Sequence, residues 1–97
     1  MKNYKINKIR KKLDKLDNKF LALLKKRTKL VDQVLSFKTS KNQIVDKQRI
    51  KIILKDIRKK SIKNRIDVNL TKNIWKSMIS GYIKYEYKNF KKNNKRS

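Results

Sequence analysis

The chain has 97 residues, with 31 lysines and arginines against 7 acidic residues, and it contains no proline, histidine or cysteine. Disulfides, thiolate nucleophiles, imidazole bases and the common zinc sites are therefore excluded. Gly81 is the single glycine, and because turns between strands rely on glycine and proline, the composition predicts a few long helices with short polar connections.

The formal net charge of +24 would attract nucleic acid and anionic membranes non-specifically. Lysine is scattered along the whole chain together with much asparagine and isoleucine, which AT-rich coding would also produce. A basic nucleic-acid-binding helical protein is one interpretation, but aromatic residues are few and no helix-turn-helix signal is evident. We expect no specific nucleic-acid partner. Because no apolar run is long enough for a signal peptide or a membrane span, we expect no membrane association and a cytoplasmic location.

The first predicted element is one long helix from about residue 5 to 38. Its apolar residues are spaced alternately by three and four, which is typical of a helix that packs along another helix. This seam consists of Ile6, Ile9, Leu13, Leu16, Phe20, Leu23, Leu30, Val34 and Phe37. A helix of that length spans about 50 Å, so we expect a second chain to cover it. Arg27 occupies the seam position between Leu23 and Leu30 where an apolar residue is expected. Lys38 follows eleven residues later on nearly the same face.

Two further helices follow a polar connection at residues 39–45. Asp46 and Asp67 are the expected N-caps, and the second helix should end near residue 63. The apolar faces consist of Ile50, Ile53, Leu54 and Ile57 in the second helix and of Ile74, Trp75, Met78, Ile79, Tyr82 and Ile83 in the third.

The predicted fold is therefore all-α, with three helices per chain. We expect a single domain over residues 1–97, structured over about 5–92, with a frayed tail at 93–97.

Four cations lie on or beside the apolar faces. They are Arg10, Arg27, Lys38 and Arg49. Burying an unpaired charge costs several kcal/mol, and the few acids of the chain cannot pair them all, so an anionic ligand is the expected partner. Glu86, the single glutamate, follows Tyr82 by four residues on an apolar stripe. It is a candidate catalytic acid.

Distance and packing leave two interpretations of these charges open. Arg10 and Arg27 are about 25 Å apart along one helix, so both can hold one small molecule if Arg10 comes from the other chain of a dimer. Alternatively, the chain is a structural helical dimer without a site. Arg27 would then set the register of a coiled coil, and Lys38 would extend its ammonium group to water.

The segment IRKKLDKLDNKFLALLKKR, with the later Lys38, VDKQR, Tyr82 and Glu86, resembles the all-helical chorismate mutase family over about residues 5–92. The resemblance implies an intertwined homodimer that needs no cofactor or metal and acts on a small dicarboxylate. It implies that Lys38 and Glu86 contact the ether oxygen of the breaking bond. The implied substrate-binding residues are Arg10 from the other subunit, Arg27 at a carboxylate, Arg49 as a further cation, Asp46 near the substrate hydroxyl, and Tyr82.

Three local features depart from the mutase pattern. Many such mutases carry glutamate directly after the second-helix arginine, where this chain has Ile50. The spacing from Lys38 to Arg49 is one residue shorter than in many mutases, and Tyr82 replaces a small polar residue. These features resemble the isochorismate pyruvate lyase branch, which makes salicylate and pyruvate on the same fold. Chorismate and isochorismate are therefore both candidate substrates.

Overall fold

The structure is a computed structural model that describes residues 2–90. It contains three α-helices, α1 (Lys2–Ser36), α2 (Lys47–Lys63) and α3 (Val68–Asn89), and a short 3-10 helix at Lys41–Gln43. The predicted all-α fold with one very long first helix is confirmed. No helix within the described range carries an apolar stretch of the length that a bilayer requires.

By its internal contacts the chain divides into two units, residues 1–34 and 35–97. The first unit consists of most of α1, and its apolar seam is exposed to solvent in the single chain: Ile9 is 58% exposed and Phe20 64%. The second unit contains α2 and α3. The single domain stays a prediction, and the frayed tail at 93–97 lies outside the described residues.

The first helix ends two residues earlier than predicted, at Ser36. The side-chain oxygen of Gln43 accepts hydrogen bonds from the backbone amides of Thr39 and Ser40. This side chain offers the backbone an alternative to further helical turns. Lys38 therefore lies in the connection after α1, and the expectation that it continues the face of Arg27 on one helix is wrong.

Both predicted N-caps are confirmed. The Asp46 carboxylate accepts a hydrogen bond from the backbone amide of Arg49 at 3.0 Å. Asp67 accepts one from the amide of Leu70 at 2.8 Å. Each carboxylate satisfies an amide that has no partner within the first turn of its helix. These two local signals fix where α2 and α3 begin.

A Schellman motif closes the C-terminus of α2. The backbone amide of Ile66 donates to the carbonyl of Ser61 at 2.9 Å, and that of Arg65 donates to the carbonyl of Ile62 at 3.2 Å. Arg65 has a φ of 58°, at the position where helices most often place glycine. This left-handed conformation costs a non-glycine residue about 1–2 kcal/mol.

The core of the second unit is small and partly polar. Leu35 and Ile44 are buried apolar residues, 5% and 3% exposed. Ser61 and Thr71 are buried where α2 and α3 pack together, and their hydroxyls share a hydrogen bond of 2.7 Å. The Ser61 hydroxyl also donates to the carbonyl of Ile57 at 2.6 Å. The polar groups of this contact are therefore satisfied, as buried polar groups must be.

Candidate active site

The centre of the candidate site is an ion pair between Lys38 and Glu86. The Nζ atom of Lys38 donates to Oε1 of Glu86 at 3.0 Å. The two side chains are 18% and 12% exposed, so water screens their attraction less than it screens a surface pair. The pair joins the connection after α1 to the C-terminal half of α3. The fold thus brings the two predicted catalytic residues into direct contact.

Lys38 is held by a turn with buried residues on either side. Its backbone amide donates to the carbonyl of Leu35 at 3.0 Å, and Leu35 is buried. On the other side of the connection, Ile44 is also buried. Between these two anchors, Gln43 closes the loop by accepting from the Thr39 amide at 2.6 Å. The backbone that carries Lys38 is therefore fixed at several points.

An open groove runs beside Lys38. It is lined by Lys38, Gln43, Val45, Asp46 and Lys47. Two predicted site residues, Lys38 and Asp46, therefore share one surface. The N-cap of α2 uses the Oδ1 atom of Asp46, and this bond fixes the orientation of the carboxylate. The groove combines cations, an acid and an amide, which suits a ligand with both carboxylate and hydroxyl groups.

Arg49 lies on α2 and Tyr82 on α3, the two long helices of the second unit. Arg49 lies in the first turn of α2 and its side chain is exposed. Tyr82 is half-buried one turn before Glu86 on α3. Its ring meets that of Tyr85 edge to face, with the centroids 6.2 Å apart, which is a favourable aromatic geometry. Tyr82 and Glu86 therefore share one face of α3.

The two remaining predicted residues, Arg10 and Arg27, belong to α1. Arg27 is half-buried and Arg10 is exposed. They lie 17 residues apart, which is about 25 Å along the helix. One small molecule cannot contact both on a single helix, and their part in a common site stays a prediction.

Gln43 is a site residue that the sequence reasoning missed. Together with Ser40 it forms a capping box around the 3-10 helix, and its side chain lines the groove beside Lys38. The pattern of serine followed three residues later by glutamine is a known signal of such a box, so the sequence SKNQ could have revealed it.

Within residues 2–90, no three acidic, histidine or cysteine side chains lie close enough together to hold a metal ion. The sequence model of the family chorismate mutase type II matches residues 9–87. The chain belongs to the chorismate mutase type II family. The matched range extends from just before Arg10 to just beyond Glu86, and so covers every predicted site residue of this family member. No curated protein and no solved structure matches the chain.

Proposed function

We propose that this protein is a chorismate mutase, which converts chorismate to prephenate by a Claisen rearrangement. One carbon–oxygen bond of the ether breaks while one carbon–carbon bond forms in the same molecule. The reaction needs no nucleophile, no metal and no base, which fits a chain without histidine or cysteine. The family match supports this proposal, and the observation that carries it is the shielded pair of Lys38 and Glu86.

Lys38 and Glu86 would supply the electrostatic part of catalysis. Negative charge develops on the ether oxygen as its bond to carbon breaks, and donors positioned in advance stabilise it. The Lys38 ammonium group is such a donor. Glu86 would lie beside the same oxygen and, by accepting from Lys38 at 3.0 Å, would hold the ammonium group in position.

The arginines would hold the substrate in its reactive conformation. A guanidinium group binds a carboxylate through two parallel hydrogen bonds, which fixes both position and orientation. We assign Arg27 to one carboxylate and Arg49 to the site as a further cation, with Arg10 lent by a second subunit. Asp46, already oriented by its cap, would accept from the substrate hydroxyl. Tyr82 would line the site beside Glu86. Holding both ends of the substrate keeps the reacting atoms in the right geometry and thereby lowers the entropic part of the barrier.

We further propose that the active form is a homodimer. In the single chain the α1 seam is exposed: Leu13 is 53% exposed, Leu16 51% and Phe20 64%. A seam of this length on a small domain is stabilised when a second copy buries it. The dimer would also explain how Arg10 and Arg27 reach one substrate, because each would come from a different chain.

A second candidate function, isochorismate pyruvate lyase, is favoured by a specific observation at the start of α2. Ile50 follows Arg49 and is half-buried, where many mutases have a glutamate beside the substrate hydroxyl. A half-buried isoleucine cannot accept a hydrogen bond from that hydroxyl. Isochorismate carries its hydroxyl at a different ring carbon, and its conversion to salicylate and pyruvate would not need this acid.

A product assay with both substrates tests the proposal. Purified protein is given chorismate and isochorismate separately, and prephenate, salicylate and pyruvate are measured. Prephenate from chorismate supports the mutase, and salicylate without prephenate assigns the lyase instead. If neither substrate is converted, the enzyme proposal is wrong.

The Ile50→Glu variant sharpens the choice between the two activities. It restores an acid beside Arg49, so we expect the ratio of prephenate to salicylate formation to rise. The Ile50→Gln variant is the matched control for size.

A further inference from the structure

The helix α2 carries a row of exposed lysines at a regular spacing of four residues. The row consists of Lys47, Lys51, Lys55, Lys59 and Lys63. All five are exposed, and each follows the last by four residues, about one helical turn. The row extends for about 24 Å along the helix in steps of about 6 Å, and each step turns by about 40° around the helix axis. Its three central members, Lys51, Lys55 and Lys59, therefore point within about 80° of one another, whereas Lys47 and Lys63 point to nearly opposite sides of α2.

Lys55 and Lys59 of this row lie opposite the face of α2 that packs on α3. The packed face includes Ile53, Leu54 and Ile57, which are half-buried. Within the part of the chain that the structure describes, none of the five lysines forms an ion pair, and Asp56 of α2 pairs with Lys60 at 3.0 Å. Like charges four residues apart destabilise a helix. The row therefore lowers the stability of α2.

The length of the row indicates the kind of ligand that fits it. A small anion can contact one or two ammonium groups, whereas a polyanion can contact all three central lysines, Lys51, Lys55 and Lys59, which extend for about 12 Å along α2. Each strand of a nucleic-acid duplex places a phosphate about every 3.4 Å along the axis, so about three to four consecutive phosphates pass along that distance before the strand turns away. An anionic membrane fits less well, because helices that bind membrane surfaces bury an apolar face in the lipid. The apolar face of α2 is already packed on α3.

We propose that the lysine row of α2 is a sequence-independent docking surface for the phosphate backbone of a nucleic-acid duplex. This activity goes beyond the proposed rearrangement and does not depend on it. The three central lysines do not line the groove beside Lys38. Contacts to phosphate carry no base specificity, so binding is expected to depend on salt and not on sequence.

The test measures the salt dependence of duplex binding. The probe is a fluorescent DNA duplex of about 20 base pairs, titrated at several KCl concentrations by anisotropy. The slope of log K against log salt is about −0.9 per phosphate neutralised. The triple variant Lys51→Gln, Lys55→Gln, Lys59→Gln should therefore reduce the magnitude of the slope by about 2.7. The same three positions changed to arginine should keep the wild-type slope.

The matched control removes equal charge from α3. Lys72, Lys76, Lys84 and Lys88 are also exposed at this spacing, but Ser80 interrupts their row. The triple variant Lys72→Gln, Lys76→Gln, Lys84→Gln should change the slope much less than the α2 variant does. Circular dichroism confirms folding, and the α2 glutamine variant should melt at a higher temperature because its like-charge neighbours are gone.

Two results would overturn the proposal. If both triple variants reduce the slope equally, duplex binding depends on the overall charge of the chain and not on the α2 row. Binding to vesicles of mixed neutral and anionic lipid, with no binding to the duplex at matched salt, would assign the row to a membrane surface.

Discussion

Replacing Lys38 by methionine tests the ion pair at the centre of the site. At 3.0 Å and an effective dielectric constant of about 20, two unit charges attract by about 5.5 kcal/mol, before the cost of removing them from water. Removing one partner of a buried pair costs about 3–5 kcal/mol, and of an exposed pair at most about 1. Because the two side chains are 18% and 12% exposed, we expect Lys38→Met to lower the free energy of unfolding by about 2–3 kcal/mol.

This loss should appear as a lower melting temperature. For a domain of this size, about 1 kcal/mol shifts the midpoint by roughly 4–8 °C, so Lys38→Met should melt roughly 10–20 °C lower. The control is Lys41→Met, an exposed lysine of the same connection, which should melt within about 2 °C of the wild type because surface substitutions have small effects.

A double variant separates the effect of Lys38 on catalysis from its effect on stability. Lys38→Met should lower kcat for prephenate formation by about 10²–10³-fold, the effect of removing one preorganised donor. Adding Glu86→Gln neutralises the carboxylate that Lys38→Met leaves without its ammonium partner. The double variant should therefore recover about 1–2 kcal/mol of stability without recovering activity. If Lys38→Met melts like the Lys41→Met control and keeps kcat within about twofold, the pair is neither structural nor catalytic and the reasoning fails.

Three further predictions concern single residues. Glu86→Ala should lower kcat for prephenate formation by about 10²-fold, because the Lys38 ammonium group loses the carboxylate that positions it; an unchanged kcat would remove Glu86 from the mechanism. Arg27→Leu should lower kcat/KM by about 10²-fold, because a carboxylate contact is lost; full activity in this variant would favour a structural dimer without a site. Arg65→Gly should raise the free energy of unfolding by about 1 kcal/mol in a urea titration, because glycine adopts a φ of 58° without strain; no gain would contradict the conformational cost assigned to Arg65.

Local signals in the sequence predicted most of the fold. Asp46 and Asp67 cap helices because a side chain accepts from an amide three residues later, a relation that spacing reveals. The alternating spacing of three and four residues between the apolar seam residues predicted α1, because that spacing is also visible in the sequence alone. The end of α1 was predicted two residues too late. The side-chain oxygen of Gln43 accepts from the Thr39 and Ser40 amides, and whether these bonds replace helical ones depends on how the loop folds.

The sequence predicted which residues belong to the candidate site much better than it predicted how they are arranged in space. Glu86 and Lys38 were recognised because each is a charge on or beside an apolar face, and the family resemblance then implied their catalytic roles. Their direct pairing joins residues 48 positions apart, and no periodicity within one helix can indicate such a contact. The left-handed conformation of Arg65 was also missed, because a helix end without glycine carries no sequence signal for it.

The most direct test of a shared electrostatic site mixes two inactive variants. Arg10→Ala and Lys38→Met are coexpressed, and prephenate formation is measured against each variant on its own. If Arg10 acts across the dimer, a mixed dimer contains one intact site with Lys38 from one chain and Arg10 from the other. Random pairing should then restore about a quarter of the wild-type activity. If the mixture stays as inactive as its components while mixed dimers are present, Arg10 does not complete a site on the second chain, and the account is contradicted.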